Sequence, residues 1–67
     1  MTQYLKIERG GLLPVSRIEF VIETDDGSAF AVTSLGLECL EIDNRFFSGF
    51  KTSADYETVC LILQGDD

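Results

Sequence analysis

Residues 17–33 read RIEFVIETDDGSAFAVT, and no other stretch limits the fold as much. Ile18, Phe20 and Ile22 alternate with Arg17, Glu19 and Glu23, the period of a β-strand. A turn cluster follows, and then a second β-rich run to Thr33. The faces select the register. A two-residue Asp26-Gly27 turn sets Glu23 opposite Phe30 and Val21 opposite Val32. A three-residue loop of Asp25, Asp26 and Gly27 sets Ile22 opposite Phe30 and Phe20 opposite Val32. The second choice gathers apolar residues on one inner face and leaves Glu19, Glu23 and Thr33 on the outer one. A slip of one residue would exchange the faces. The three-residue loop is therefore expected, a type I turn with a left-handed Gly27 in a bulge. The same acids do not make an EF-hand, which needs alternating carboxylates and a glutamate at its twelfth position. Ser28, Ala29 and Phe30 follow Gly27 instead.

With 67 residues there is room for one domain and one core. A compact chain of this length has a radius of gyration of roughly 11 Å. A core this small rarely supplies more than ~3–5 kcal/mol. Its composition is that of a folded domain, 45% hydrophobic with a single proline. The longest apolar run, Val59 to Leu63, is far short of a membrane span. The first residues lack the basic and apolar regions of a secretory signal, so a cytoplasmic location is expected.

Elsewhere the pattern is mostly β. Leu5 and Ile7 alternate with Tyr4, Lys6 and Glu8, and Gly10-Gly11 breaks that segment. Residues 34–47 fit two descriptions. As a helix, Ser34 caps it and Leu35, Cys39, Ile42 and Phe46 form a stripe. As a strand, Leu35, Leu37 and Cys39 share a face, with a bulge before Leu40; the flanking strands favour this. Ser48-Gly49 reads as a turn. Tyr56 to Leu63, rich in β-formers, reads as a strand apolar on both faces. The expected fold is mainly antiparallel β: a small sheet or barrel of four to five strands, with at most one short helix, around 34–47.

The residue inventory opposes catalysis. Without histidine the chain lacks the usual proton shuttle at neutral pH, and neither a Ser-His nor a Cys-His pair can form. Cys39 and Cys60 match no metal or redox spacing and sit among aliphatic residues, where thiols act as small core groups. No catalytic residue, metal or cofactor is expected.

Binding is the remaining class. Three phenylalanines, Phe46, Phe47 and Phe50, lie within five positions, with Arg45 and Lys51 at the edges. Consecutive strand residues point to opposite faces, so Phe46 and Phe47 cannot both be core. Aromatics with arginine are enriched at interface hot spots. The string RFFSGFK bears a partial resemblance to the RNP1 pattern of RNA-binding domains. Arg45 fits its first position, but Phe46 stands where glycine is needed and Ser48 replaces the next small residue. The net charge of −7, from twelve acids and five bases, also repels phosphate backbones.

Glu19, Glu23, Asp25, Asp26, Glu38, Glu41 and Asp43 form a second candidate set, suited to a basic partner surface if they converge. The expected function is thus a non-enzymatic binding module occupying a protein partner's surface, as a monomer or homodimer. In general profile it resembles phage and mobile-element inhibitors, including DNA mimics and anti-CRISPR proteins. A single-strand-binding β domain and a self-associating structural subunit are the alternatives.

Overall fold

The computed structural model describes residues 3–64. The fold is mainly antiparallel β with one short helix. Strands β1 (Tyr4–Lys6) and β2 (Leu12–Pro14) form a small sheet, and a single 3-10 turn, Val15–Arg17, leads out of it. Strands β3 (Phe20–Glu23), β4 (Ser28–Val32), β5 (Glu38–Ile42) and β6 (Arg45–Asp55) form the main sheet, in the order β3-β4-β6-β5. Helix α1, Tyr56–Gln64, follows directly. The radius of gyration is 11.1 Å, as the length requires.

The β3–β4 hairpin has the expected register, Phe20 opposite Val32 and Ile22 opposite Phe30. Asp25, Asp26 and Gly27 form its loop, closed by the Thr24 amide donating to Ser28 O at 2.9 Å. Gly27, at φ +86°, takes the left-handed position that a side chain would strain. The Asp26 carboxylate fastens the loop from inside. It accepts from the Thr24 hydroxyl, from the Ser28 amide at 3.0 Å and from Lys51 Nζ at 3.0 Å.

The second layer covers the face opposite to the one expected. Val21, Ala29, Ala31 and Phe50 pack against β1, β2 and α1, together with Leu5, Leu13 and Val59. Phe20, Ile22, Phe30 and Val32 lie on the opposite face, where Phe30 and Val32 are nevertheless buried and Phe20 is exposed. Both faces are apolar, so alternation determined the pairing but not which side is covered. Ala29 and Ala31 decide that: their small side chains let the second layer approach, and both are fully buried. Glu19 and Glu23 share the side of Val21, exposed at the ends of β3.

Residues 34–47 contain no helix. Thr33 to Gly36 is a tight turn, with the Gly36 amide donating to Thr33 O at 3.0 Å and the Leu35 amide to the Thr33 hydroxyl at 3.2 Å. The rest is the β5–β6 hairpin, joined by Asp43 and Asn44 at φ +52° and +65°. Two left-handed residues make a type I′ turn, whose twist suits a tight hairpin. No bulge precedes Leu40, because Glu38 begins the strand in register with Gly49. Cys39 is exposed on this hairpin, away from the core, and Cys60 is half-buried; both thiols are free.

The helix lies instead over Tyr56–Gln64, where a strand was expected. Asp55 caps it, accepting from the Thr58 amide at 2.9 Å. Tyr56, Val59, Cys60 and Leu63 fall at helical spacing and turn toward the sheet, with Val59 wholly buried. The cap and the stripe outweigh the β-propensity of Thr58, Val59 and Ile62.

Ser48-Gly49 is not a turn either, since β6 runs straight through it. Gly49 is where the long strand changes partners, being opposite both Val32 of β4 and Glu38 of β5. The connection from β4 to β5 must therefore cross β6 here, and Gly36 lies directly against Gly49. A Cβ on Gly36 would stand 2.1 Å from Gly49 Cα, and one on Gly49 would stand 2.0 Å from Ala31 O. Two glycines make the crossing possible.

Candidate interaction face

Beyond Gly49, the β5–β6 hairpin is an arm of a molecule that measures 36 × 22 × 19 Å. Strand period separates its aromatics. Phe46 is 68% exposed, on the side opposite Phe47. Phe47 is half-buried against Phe20, edge to face, with ring centroids 5.9 Å apart. The Arg45 guanidinium lies 5.5 Å from the centre of the Phe47 ring, a cation–π arrangement. Phe50, only 8% exposed, is core and leaves the candidate set. The phenylalanine cluster thus has three environments: an exposed tip, a surface stack and an interior anchor.

Two grooves flank the arm. One, of about 370 Å³, lies between Phe20 and the Phe46-Phe47 pair, with Glu19 and Arg45 at its margins. The other, of about 460 Å³, opens between the β3–β4 loop and β5. Five of the seven candidate acids border this second groove: Glu23, Asp25, Asp26, Glu38 and Glu41. Glu19 belongs to the first groove, and Asp43 sits in the turn at the arm's tip. The acids therefore converge in part. Phe20, Leu40 and Ile42 line these grooves without being among the expected site residues, although Leu40 and Ile42 alternate just before Asp43-Asn44, a readable hairpin signal.

The groove's electrostatics centre on Asp26. The Thr24 hydroxyl, then Lys51 and the Ser28 amide, hold its carboxyl well below the usual aspartate range. Asp26 in turn raises the Lys51 ammonium above the ordinary lysine value, by hydrogen bond and by charge. The Thr58 hydroxyl and amide lower Asp55 in the same sense. Because both aspartates titrate lower in the folded chain, each adds stability above the ordinary aspartate pKa, about 3.9. That stability is lost as pH falls from there through the folded values. Melting followed from about pH 5 to about pH 2.5 should show a falling midpoint. An Asp26→Asn, Asp55→Asn double variant, less stable at the higher pH, should lose less in acid.

Among the described residues no group of three potential ligands is placed to hold a metal ion, and no helix is long and apolar enough to cross a membrane. Comparison with protein-family models, curated proteins and solved structures finds no match to this chain.

Proposed function

We propose that this chain is a small non-enzymatic binding module that works in the cytoplasm by occupying the surface of a protein partner. The observation that carries the reading is the arm itself. A sheet this small has little apolar area to spare, yet it leaves Phe46 68% exposed on one side of the arm, with Arg45 stacked on the half-buried Phe47 on the other. Large aromatics beside an arginine, on a projecting and well-braced element, are what an interface anchor requires. An inhibitor acting by steric occupation, of the kind phage and mobile elements deploy, needs nothing more.

Base stacking by single-stranded nucleic acid has weaker support. Phe46 and Phe47 lie on opposite sides of β6, so they do not form one stacking platform. Lys51 is paired with Asp26 at 3.0 Å, and acids line the neighbouring groove. Phosphates would meet carboxylates there.

Affinity capture from lysate of the source cell, treated with nuclease and read by mass spectrometry, tests the reading. The native chain should retain a defined protein partner, and Phe46→Ala should lose at least tenfold of it, in line with a hot spot of ~2 kcal/mol or more. The melting temperature of Phe46→Ala should stay close to that of the native chain, because the ring is exposed. Capture of nucleic acid alone, or equal capture by both chains, would refute the assignment.

A further inference from the structure

The larger groove differs in chemistry from the arm's aromatic tip. Leu40 and Ile42, beside the buried Phe30, give it an apolar floor, and Glu23, Asp25 and Glu41 line its edges, where the two glutamates start from the other face of the sheet. Among the described residues, none of these three carboxylates has an ion-pair partner. The other two acids are engaged by the chain itself. Lys51 Nζ stands 3.0 Å from Asp26 Oδ2, and the Lys51 amide donates to Glu38 Oε1 at 3.2 Å. The second of these bonds occupies a β6 backbone donor just past the end of the β5 pairing.

Charge complementarity narrows the occupant. A rim of a single sign around an aliphatic and aromatic floor fits a segment that is both cationic and apolar. An extended chain alternating the two types meets that demand, since its period of two turns apolar residues to the floor and the others away. Lysine and arginine stems are long enough to lie along the groove wall while their charged ends reach the rim. A second copy of this chain, with a net charge of −7, brings the wrong sign.

We infer that the groove receives an extended segment of the partner protein in which lysine or arginine alternates with aliphatic residues. This inference rests on the binding-module reading. Lys51 occupies the position that a cation of the partner would take beside Asp26. It therefore competes with the incoming segment and sets its affinity. Removing that lysine frees a carboxylate and should tighten binding, the reverse of what loss of an ordinary contact would do.

The probe is a fluorescein-labelled peptide of four Lys-Leu repeats, titrated with the full chain and followed by anisotropy. Peptides of Lys-Ser and of Glu-Leu serve as controls. The Lys-Leu peptide should saturate a single site and bind more tightly than Lys-Ser, and Glu-Leu should not bind. Glu23→Gln with Glu41→Gln should weaken it by about two- to fivefold per carboxylate, and Lys51→Gln should strengthen it by about two- to fivefold. Lys51→Arg keeps the pair with Asp26 and should bind as the native chain does. If Lys51→Gln does not fold, the glutamine pair and the Lys-Ser comparison decide the matter.

Equal binding of Lys-Ser and Lys-Leu would reduce the effect to general charge attraction and overturn the inference. So would a Lys51→Gln chain that folds and binds no better. Self-association insensitive to salt, with no peptide binding, would assign the groove to a second copy and also overturn it. Failure here is separable from failure of the module reading. Partner capture lost by Phe46→Ala but unchanged by the glutamine pair refutes the groove alone, whereas capture unchanged by both refutes the two together.

Discussion

Gly36→Ala should leave most of the chain without its native β5 pairing. The added methyl would lie 2.1 Å from Gly49 Cα and 2.2 Å from Gly49 N, both backbone atoms, so no rotamer relieves the overlap. The crossing from β4 to β5 has to open, and the register of Glu38 opposite Gly49 goes with it. Overpacking ordinarily costs ~1–3 kcal/mol because neighbouring side chains can shift. Here they cannot, and the whole stability of such a domain is only ~3–5 kcal/mol. Circular dichroism and two-dimensional amide spectra at 25 °C should show loss of the β5–β6 signals or of the fold. Gly49→Ala should behave alike, its methyl meeting Ala31 O at 2.0 Å. A Gly36→Ala chain melting within a few degrees of the native one would show that the two backbones do not cross as described.

Phe50→Ala should cost ~3–5 kcal/mol, close to everything the domain has. Phe50 is 8% exposed and packs with Ile7, Leu13 and Ala31, so truncating its ring opens a cavity between the two layers. Phe46→Ala, four positions earlier, should change stability by no more than ~0.5 kcal/mol. Urea denaturation of the two variants, followed by far-ultraviolet circular dichroism, makes the comparison. The pair also guards the functional test. Loss of partner binding in Phe50→Ala would reflect unfolding, whereas the same loss in Phe46→Ala, with an unchanged midpoint, locates the contact.

How much of this was legible in the chain depended on whether one local signal stood unopposed. The β3–β4 register was readable because only one loop length kept both faces consistent. Which face the second layer would cover was not, since Phe20, Ile22 and Phe30 are larger and more apolar than Ala29 and Ala31. Close approach of a second layer, rather than hydrophobicity, settled it. At Tyr56–Gln64 two signals disagreed. The β-formers concealed a helix that Asp55 caps and that the spacing of Tyr56, Val59, Cys60 and Leu63 already described. Gly49 was misread for a different reason. A glycine next to a serine suggests a turn, and nothing local reveals that another strand's backbone will lie against it. The candidate site was legible as residue types, aromatic with arginine and a surplus of acids. Their division into a tip, a stack, a core anchor and a groove rim depends on pairings that only the folded sheet supplies.

Leu5 near the start of the chain and Val59 near its end belong to one buried cluster, joined through Ala29. A ribosome delivers these residues in order, at roughly 5–20 residues per second. For some seconds Leu5, Leu13 and the inner side of the β3–β4 hairpin are therefore made but uncovered, because the helix that closes over them is synthesised after them. Folding of this domain is consequently a late event in its own translation. A chain halted before Tyr56 would present the cell with an open apolar layer, a target for chaperones and proteases.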